Sequence, residues 1–308
     1  MQAGQLLDVV AFNLILDDVV FPDGRTAMGL LGGGGPQTAF GARLWGAQAG
    51  VVSGVGPDLP QAARDWFAAS GVDTGGLRAG PAPTLRAWQL LEEDGRRTQV
   101  WRSSPEDFHQ HVQRREAVLP AAYRTARAFH VGVHPDEPGL DFLAGLKRLG
   151  GLLSVEPFRP AAAPPDPERL RALLESGDLF SPNLLEARSL LGPGRPEELL
   201  RGLLDLGARQ VCLRMGAAGA LVSLPGGRAA WIPAPDVAVA NPVGAGNAFC
   251  GGFLAGWLRH EDAVAAGLCG AAAASFLLES PAMPVVSASL RAAAQARVEH
   301  LQAGVQYV

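Results

Sequence analysis

Two hydrophobic rhythms alternate along most of this chain: short unbroken apolar runs, and apolar positions spaced three to four residues apart. Leu6 to Leu16 is a long apolar run, interrupted only at Asp8 and Asn13 and ending in Asp17-Asp18, the pattern of a strand buried on both faces. Phe21-Pro-Asp-Gly24 reads as a turn, and Gly32 to Gly35 lead into a helical pattern from Pro36 to Gly46. Gln48 to Ser53 is a second strand, and Leu59 to Ser70 a helix closed by Gly71. Thr84 to Leu91 and Arg96 to Arg102 are strand-like runs joined by Glu93-Asp-Gly95, a hairpin signal. Alternation then resumes, with strands at Ala128 to Val133, Gly151 to Val155 and Gln210 to Arg214. Helices are expected at Leu140 to Leu149 and Pro196 to Leu206. Arg159 to Pro167 reads as a loop, and Gly216 and Gly219 open a hairpin running to Trp231. Asp236 to Ala240 alternates like a short strand closed by Asn241 before Pro242. Three helices follow, from Gly244, Asp262 and Ser287.

This alternation predicts an α/β fold with a mostly parallel central sheet and helices on both faces. No internal repeat or linker interrupts it, so a single domain over 1–308 is expected, with an inserted β-lid hairpin near 84–102. Ligands in such folds bind beyond the carboxyl ends of the strands. Asp17, Asp58, His134, Glu156, Arg214 and Asn241 are all placed there by this reading.

Composition narrows the function classes. Of 308 residues 48% are hydrophobic and 18% charged, and the net charge is −4. That balance argues against nucleic acid or an anionic membrane as partner. The three cysteines, Cys212, Cys250 and Cys269, form neither a disulfide framework nor a metal spacing, so they are expected in the core of a cytoplasmic protein. Asp8, Asn13, Asp17 and Asp18 interrupt the first apolar run, which is therefore not read as a signal peptide.

The stretch Asn241-Pro-Val-Gly-Ala-Gly-Asn-Ala-Phe-Cys-Gly-Gly252 carries the chemistry. Gly244, Ala245 and Gly246 turn the chain into a helix whose free N–H groups make an anion site. Phe249, Phe253 and Trp257 recur at four-residue steps on one buried face, and Gly252 and Gly256 open a face for close approach.

This stretch resembles the C-terminal signature of the PfkB, or ribokinase-like, carbohydrate kinases. Gly32 to Gly46, followed by Gly54-Val-Gly-Pro-Asp58, resembles their N-terminal signature, and Asn183-Leu-Leu-Glu186 their Asn-x-x-Glu element. Gly71-Val-Asp73 matches the short run after the second helix. The resemblance implies ATP-dependent phosphoryl transfer to a hydroxyl of a sugar, sugar acid or nucleoside. It implies ATP and Mg2+ as cofactors, leaves room for a monovalent cation, and suggests a homodimer paired through the lid. By it, the amides of Gly244, Ala245 and Gly246 meet the transferring phosphoryl, and Asn183 and Glu186 hold magnesium through water. Arg214, Gly216 and Gly219 belong with the nucleotide. Asp17, Gly33, Gly34, Gln37, Arg102 and His134 belong with the acceptor.

The departures concern the reaction itself. Asn247 stands where the family has the Asp that takes the acceptor's proton, so this chain resembles a branch with Gly-Ala-Gly-Asn. An amide cannot accept that proton at neutral pH. Slow transfer is one expectation; a ribokinase-fold protein that only binds a nucleotide or sugar is the other. Asn241, Pro242 and Val243 replace Asp-Thr-Thr, and Gln37 replaces an Asn. Asp18, His109 and His111 are expected in solvent, Glu156 as a plain strand-end charge, and Trp88 and Trp101 packed within the flap.

Overall fold

The computed structural model describes residues 6–308. In chain order, β1 is Val9–Phe12, β2 Ile15–Val20, β3 Thr26–Gly32, α1 Gly34–Leu44, β4 Ala49–Val55, α2 Gln61–Ser70 and β5 Asp73–Ala79. The hairpin strands β6 and β7 are Arg86–Leu91 and Arg97–Trp101, and α3 is Pro105–His111. Next come β8 Ala128–Val133, α4 Leu140–Arg148, β9 Leu152–Pro157, α5 Pro167–Ser176 and β10 Leu179–Phe180. Then follow α6 Leu184–Leu191, α7 Pro196–Asp205, β11 Cys212–Arg214, β12 Ala220–Ser223 and β13 Ala229–Ile232. The chain closes with α8 Ala245–His260, α9 Ala263–Leu278, α10 Ala288–Gln302 and β14 Gln306–Tyr307.

Six parallel strands form the central sheet in the order β10-β9-β8-β1-β4-β5. Single bridges from Phe180 to Val211 and from Asn183 to Arg214 extend it toward the antiparallel sheet β11-β12-β13-β14. The third sheet, β3-β2-β6-β7, is the lid; β2 and β6 run parallel and the other pairs antiparallel. Two large buried clusters lie on the central sheet. One holds Phe40, Phe249 and Phe253, the other Phe129, Leu143 and Leu153.

The first apolar run is not one strand. Asn13 adopts φ 71°, breaking the extended chain, while Leu14 N–H donates to Ser53 Oγ at 2.9 Å. β1 therefore stays in the central sheet and β2 enters the lid, so Asp17 lies inside a lid strand rather than beyond a core strand. The half-buried β3 escaped the pattern because its burial alternates weakly. Gly33 to Gly35 follow directly on β3, which is an antiparallel lid strand. Asp236 to Ala240 forms no strand. Its backbone instead turns back on α9, with Ala240 N–H donating to Leu278 O at 2.7 Å. Helices α3 and α5 and strand β5 were also missed.

Helices α1 and α8 cross with their backbones in contact. A Cβ on Gly41 would collide with the Ala248 carbonyl, and one on Gly251 with the Thr38 carbonyl. Gly252 and Gly256 receive α9 at Cys269 and Ala266, as the small-residue face implied. Phe249, Phe253 and Trp257 stack in series, with ring centroids 6.3 and 6.1 Å apart. The α1–α8 contact sets the distance between Gln37 and Asn247. Gly41→Ala should therefore cost about 1–3 kcal/mol through overpacking. Urea unfolding with an unchanged m-value would check it, and an unchanged midpoint would refute the tight crossing.

Candidate active site

Three elements meet at the start of α8. Gly244, at φ 88°, precedes the helix, and no side chain caps it. A Cβ on Gly244 would strike Gln37, and one on Gly246 would strike the Arg214 guanidinium. The turn is thus clamped between a neutral amide from α1 and a cation from the end of β11. Asn241 fixes the approach: its Oδ1 accepts from Val243 N–H at 3.0 Å, and its Nδ2 donates to Pro281 O at 3.3 Å. Asn247 Nδ2 donates to Gln37 Oε1 at 2.7 Å. Two of the departures from the family pattern, Gln37 and Asn247, therefore contact each other.

Arg214 is the electrostatic centre. Its Nη2 lies 2.8 Å from Glu156 Oε2 and 3.7 Å from Glu186 Oε2, and donates to Ser181 O at 2.7 Å. Its Nε is buried without a partner. Burial alone would raise the Glu156 carboxyl, but Arg214 and then His130 outweigh it and hold it at about 2. His130 Nε2 is 3.3 Å from Glu156 Oε1, its Nδ1 is 3.0 Å from Ser154 Oγ, and the Cys250 thiol donates to Glu156 Oε2 at 3.4 Å. His130, Glu156 and Cys250 lie within 4.8 Å of one another, a spacing that could hold a metal ion. Arg214 already supplies the positive charge there. Glu156 is thus buried inside a network, not the plain charge expected.

Asn183 and Glu186 form a reciprocal cap on α6. Glu186 N–H donates to Asn183 Oδ1 at 2.9 Å, Asn183 N–H to Glu186 Oε2 at 2.6 Å, and Asn183 Nδ2 to Glu186 Oε1 at 2.7 Å. Burial pushes the Glu186 carboxyl up to about 7, against the opposing pull of Arg214. Gly216 and Gly219, at φ 60° and 88°, shape the turn between β11 and β12 two residues past Arg214. Gly33, at φ 92°, and Gly34 start α1, with no room for a Cβ on Gly33 beside Asn13 and Ile15.

The lid brings in Asp17. It is 2% exposed and accepts one hydrogen bond, on Oδ1 from Gln89 Nε2 at 2.6 Å. Its carboxylate lies against Gly32, where any Cβ would displace it. Asp17, Gln37, Leu30, Leu31, Asn241 and Met283 line one pocket. Burial raises Asp17 to about 7.

Other sequence-selected residues lie elsewhere. Arg102 turns to the opposite lid face and pairs with Asp18, over the Trp88 ring at 4.8 Å. Asp18 is fully buried, not solvated, because Arg86 at 2.6 Å and Arg102 both neutralise it. Strand alternation explains the switch, since neighbours point to opposite faces. The lid arginine on the Asp17–Gln89–Gln99 face is Arg97, which sequence reasoning missed because it requires the β6–β7 register. Its charge acts on both Asp17 and Glu186. His134 packs edge-on against Phe158 and contacts Asp136, and nothing ties it to Gln37 or Asn247. His111 is buried, not solvated, with Nε2 2.8 Å from Pro83 O. Trp101 packs edge-on against Phe108 of α3, outside the hairpin, rather than within the flap.

The sequence profile described as pfkB family carbohydrate kinase matches residues 14–283. The chain belongs to that family. It is 29% identical over 273 residues to the cytidine kinase of Thermococcus kodakarensis, covering 85% of this chain and 94% of that protein. A putative ribokinase II from E. coli superposes with TM-score 0.75 at 19% identity, covering 96% of this chain and all of that one. The Methanocaldococcus jannaschii nucleoside kinase, an archaeal ribokinase-family member, gives TM-score 0.70 at 18% identity, over 97% and 100% of the two chains. The fold is ribokinase-like. Among the described residues, no helix is long and apolar enough to cross a membrane.

The charge network has a testable pH signature. Glu156 is held at about 2, below its unfolded value, so its stabilisation is present above about pH 4.5 and is lost as pH falls toward 2. Asp17 and Glu186 are raised to about 7, so their penalty is absent in acid and grows as pH rises toward 7. Arg214→Met strands two buried carboxylates and should cost about 3–5 kcal/mol at pH 8. The deficit should shrink at pH 5, where both can take up protons. Thermal melts at the two pH values check this, and a pH-independent deficit would contradict it.

Proposed function

We propose that this protein transfers the γ-phosphoryl group of ATP to a hydroxyl of a sugar, sugar acid or nucleoside. The observation that carries the reading is the uncapped start of α8, clamped between Gln37 and Arg214 beside the Asp17 pocket. Phosphoryl transfer has a loose transition state, so positioning and charge stabilisation dominate. The amides of Gly244, Ala245 and Gly246 and the Arg214 guanidinium suit the charge on the moving group. Gly216 and Gly219 suit the nucleotide. Gln37, Gly33, Gly34 and Asp17 suit the acceptor. The similarity to a cytidine kinase supports a nucleoside among the acceptors.

Magnesium fits in one way. Both Glu186 oxygens are engaged by Asn183, and Arg214 stands 3.7 Å away, so Asn183 and Glu186 would hold the ion through water rather than directly. When bound, the ion would neutralise charge between the β- and γ-phosphates. None of these roles needs a monovalent cation.

The reading is tested by ADP release from Mg–ATP across a panel of sugars, sugar acids and nucleosides. Turnover of at least one acceptor is expected. Mg–ATP at a hundredfold excess over Kd should add about 2.7 kcal/mol of stability. Stabilisation without turnover would leave a nucleotide-binding protein, and neither effect would remove both readings. Oligomerisation is the second expectation. Met28 and Val100, 48% and 44% exposed, leave apolar side chains on the lid that support pairing of two lids. Sedimentation at micromolar concentration should show a dimer, and a monomer would reject it.

A further inference from the structure

The family's proton acceptor is an amide here, so another group must take the proton if the kinase reading holds. Three carboxylates lie near the site. Glu156 is neutralised by Arg214 and sits behind the turn with both oxygens engaged. Glu186 has both oxygens occupied by Asn183. Of the three, Asp17 alone lines the acceptor pocket, and among the described residues its Oδ2 receives no hydrogen bond.

We infer that Asp17 is the catalytic base of this protein, taking the proton from the acceptor hydroxyl in place of Asn247. The inference rests on the kinase reading and on geometry. Gln37 lines the same pocket as Asp17, packs on Gly244 and binds Asn247. An acceptor hydroxyl seated in that pocket therefore has the Asp17 carboxylate on the lid side and the Gln37 amide of α1, itself bonded to Asn247, on the other. The amide orients the hydroxyl; the carboxylate receives its proton. As the proton moves to Asp17 Oδ2, the acceptor oxygen forms its bond to the γ-phosphorus. The bond from that phosphorus to the β,γ-bridging oxygen breaks, and its electron pair leaves on ADP. Asp17 then returns the proton to solvent.

The surroundings suit the task. From β6 and β7 the groups on this face are Gln89, Gln99 and Arg97; β3 offers Gly32 and α1 offers Gln37. Asp18, on the same strand, points to the other face and is neutralised by Arg86 and Arg102. Burial outweighs the Gln89 hydrogen bond and the Arg97 charge, leaving the carboxyl at about 7. A base is most effective when its pKa lies near the working pH.

The test uses the full chain with the acceptor that gives the fastest ADP release. Wild-type kcat should rise with pH through a midpoint near 7. Asp17→Asn should lose about 10²–10⁴-fold in kcat and lose that pH limb. Asn247→Asp placed in the Asp17→Asn background should restore at least tenfold, because it returns a carboxylate to the other side of the hydroxyl. If Asp17 only binds the acceptor, Asp17→Asn will raise KM, leave kcat within threefold and keep the pH limb; that outcome overturns the inference. Absence of wild-type turnover would overturn the kinase reading and this inference with it, whereas an active wild type with an unimpaired variant overturns this inference alone. A readout without turnover is the carbon-13 carboxyl resonance absent from Asp17→Asn. It should titrate near 7, and a midpoint near 4 overturns the assignment. A melt at pH 5 close to wild type verifies that the variant folds.

Discussion

The contact on which the site depends is the one between Arg214 and Glu156. It joins the end of β11 to the end of β9 across the gap left by the short β10. Each charge would be costly alone in that place, and each is tolerable because the other is 2.8 Å away. The guanidinium then has reach left over. It holds the Ser181 carbonyl, stands beside the α6 cap at Glu186, and presses on Gly246. One buried cation thus aligns two sheets and two helix starts. Without it the turn before α8 would have neither its positive neighbour nor a fixed wall.

A second consequence concerns charge placement. Behind the turn, every acid is matched or capped; in front of it, Asp17 is neither. The same molecule therefore holds one carboxyl at about 2 and another at about 7 within one functional region. Separation of that kind is how a single site can keep one acid permanently ionised and leave another free to change state.

Much of this was legible in the sequence where local rules govern. The parallel sheet, the β6–β7 hairpin, the stacked Phe249–Phe253–Trp257 face and the glycine face of α8 follow from periodicity and turn chemistry. The grouping of Gly244, Gln37, Asn247 and Arg214 about one site was implied by the family resemblance. What was not legible depends on register and on single residues. Asn13 is a polar break of a type that tolerates a left-handed φ, but nothing local says that the chain leaves one sheet for another there; in the structure its carbonyl accepts from Gly35 N–H at 2.8 Å. That one break moved Asp17 into the lid and buried Asp18. The choice between Arg97 and Arg102 turned on strand alternation, which a sequence reading cannot phase without the partner strand. Asn183 and Glu186 also show that a motif can be read two ways at once, since the same pair completes a helix cap.

The knuckle at Asn13 shapes how this lid can be exchanged. The lid is not a loop hung between two points on the core. It is woven from two distant stretches, Ile15–Gly32 and Arg86–Trp101, with α1, β4, α2 and β5 lying between them in the chain. Deleting the hairpin alone would expose the parallel edge of β2 and strip Gln89 from Asp17. A graft of a different lid must replace both stretches together, and its first stretch must end on a residue pair able to start α1 at Gly33 and Gly34. Specificity in this scaffold is therefore inherited in two pieces, and recombination that separates them would yield lids whose halves do not match.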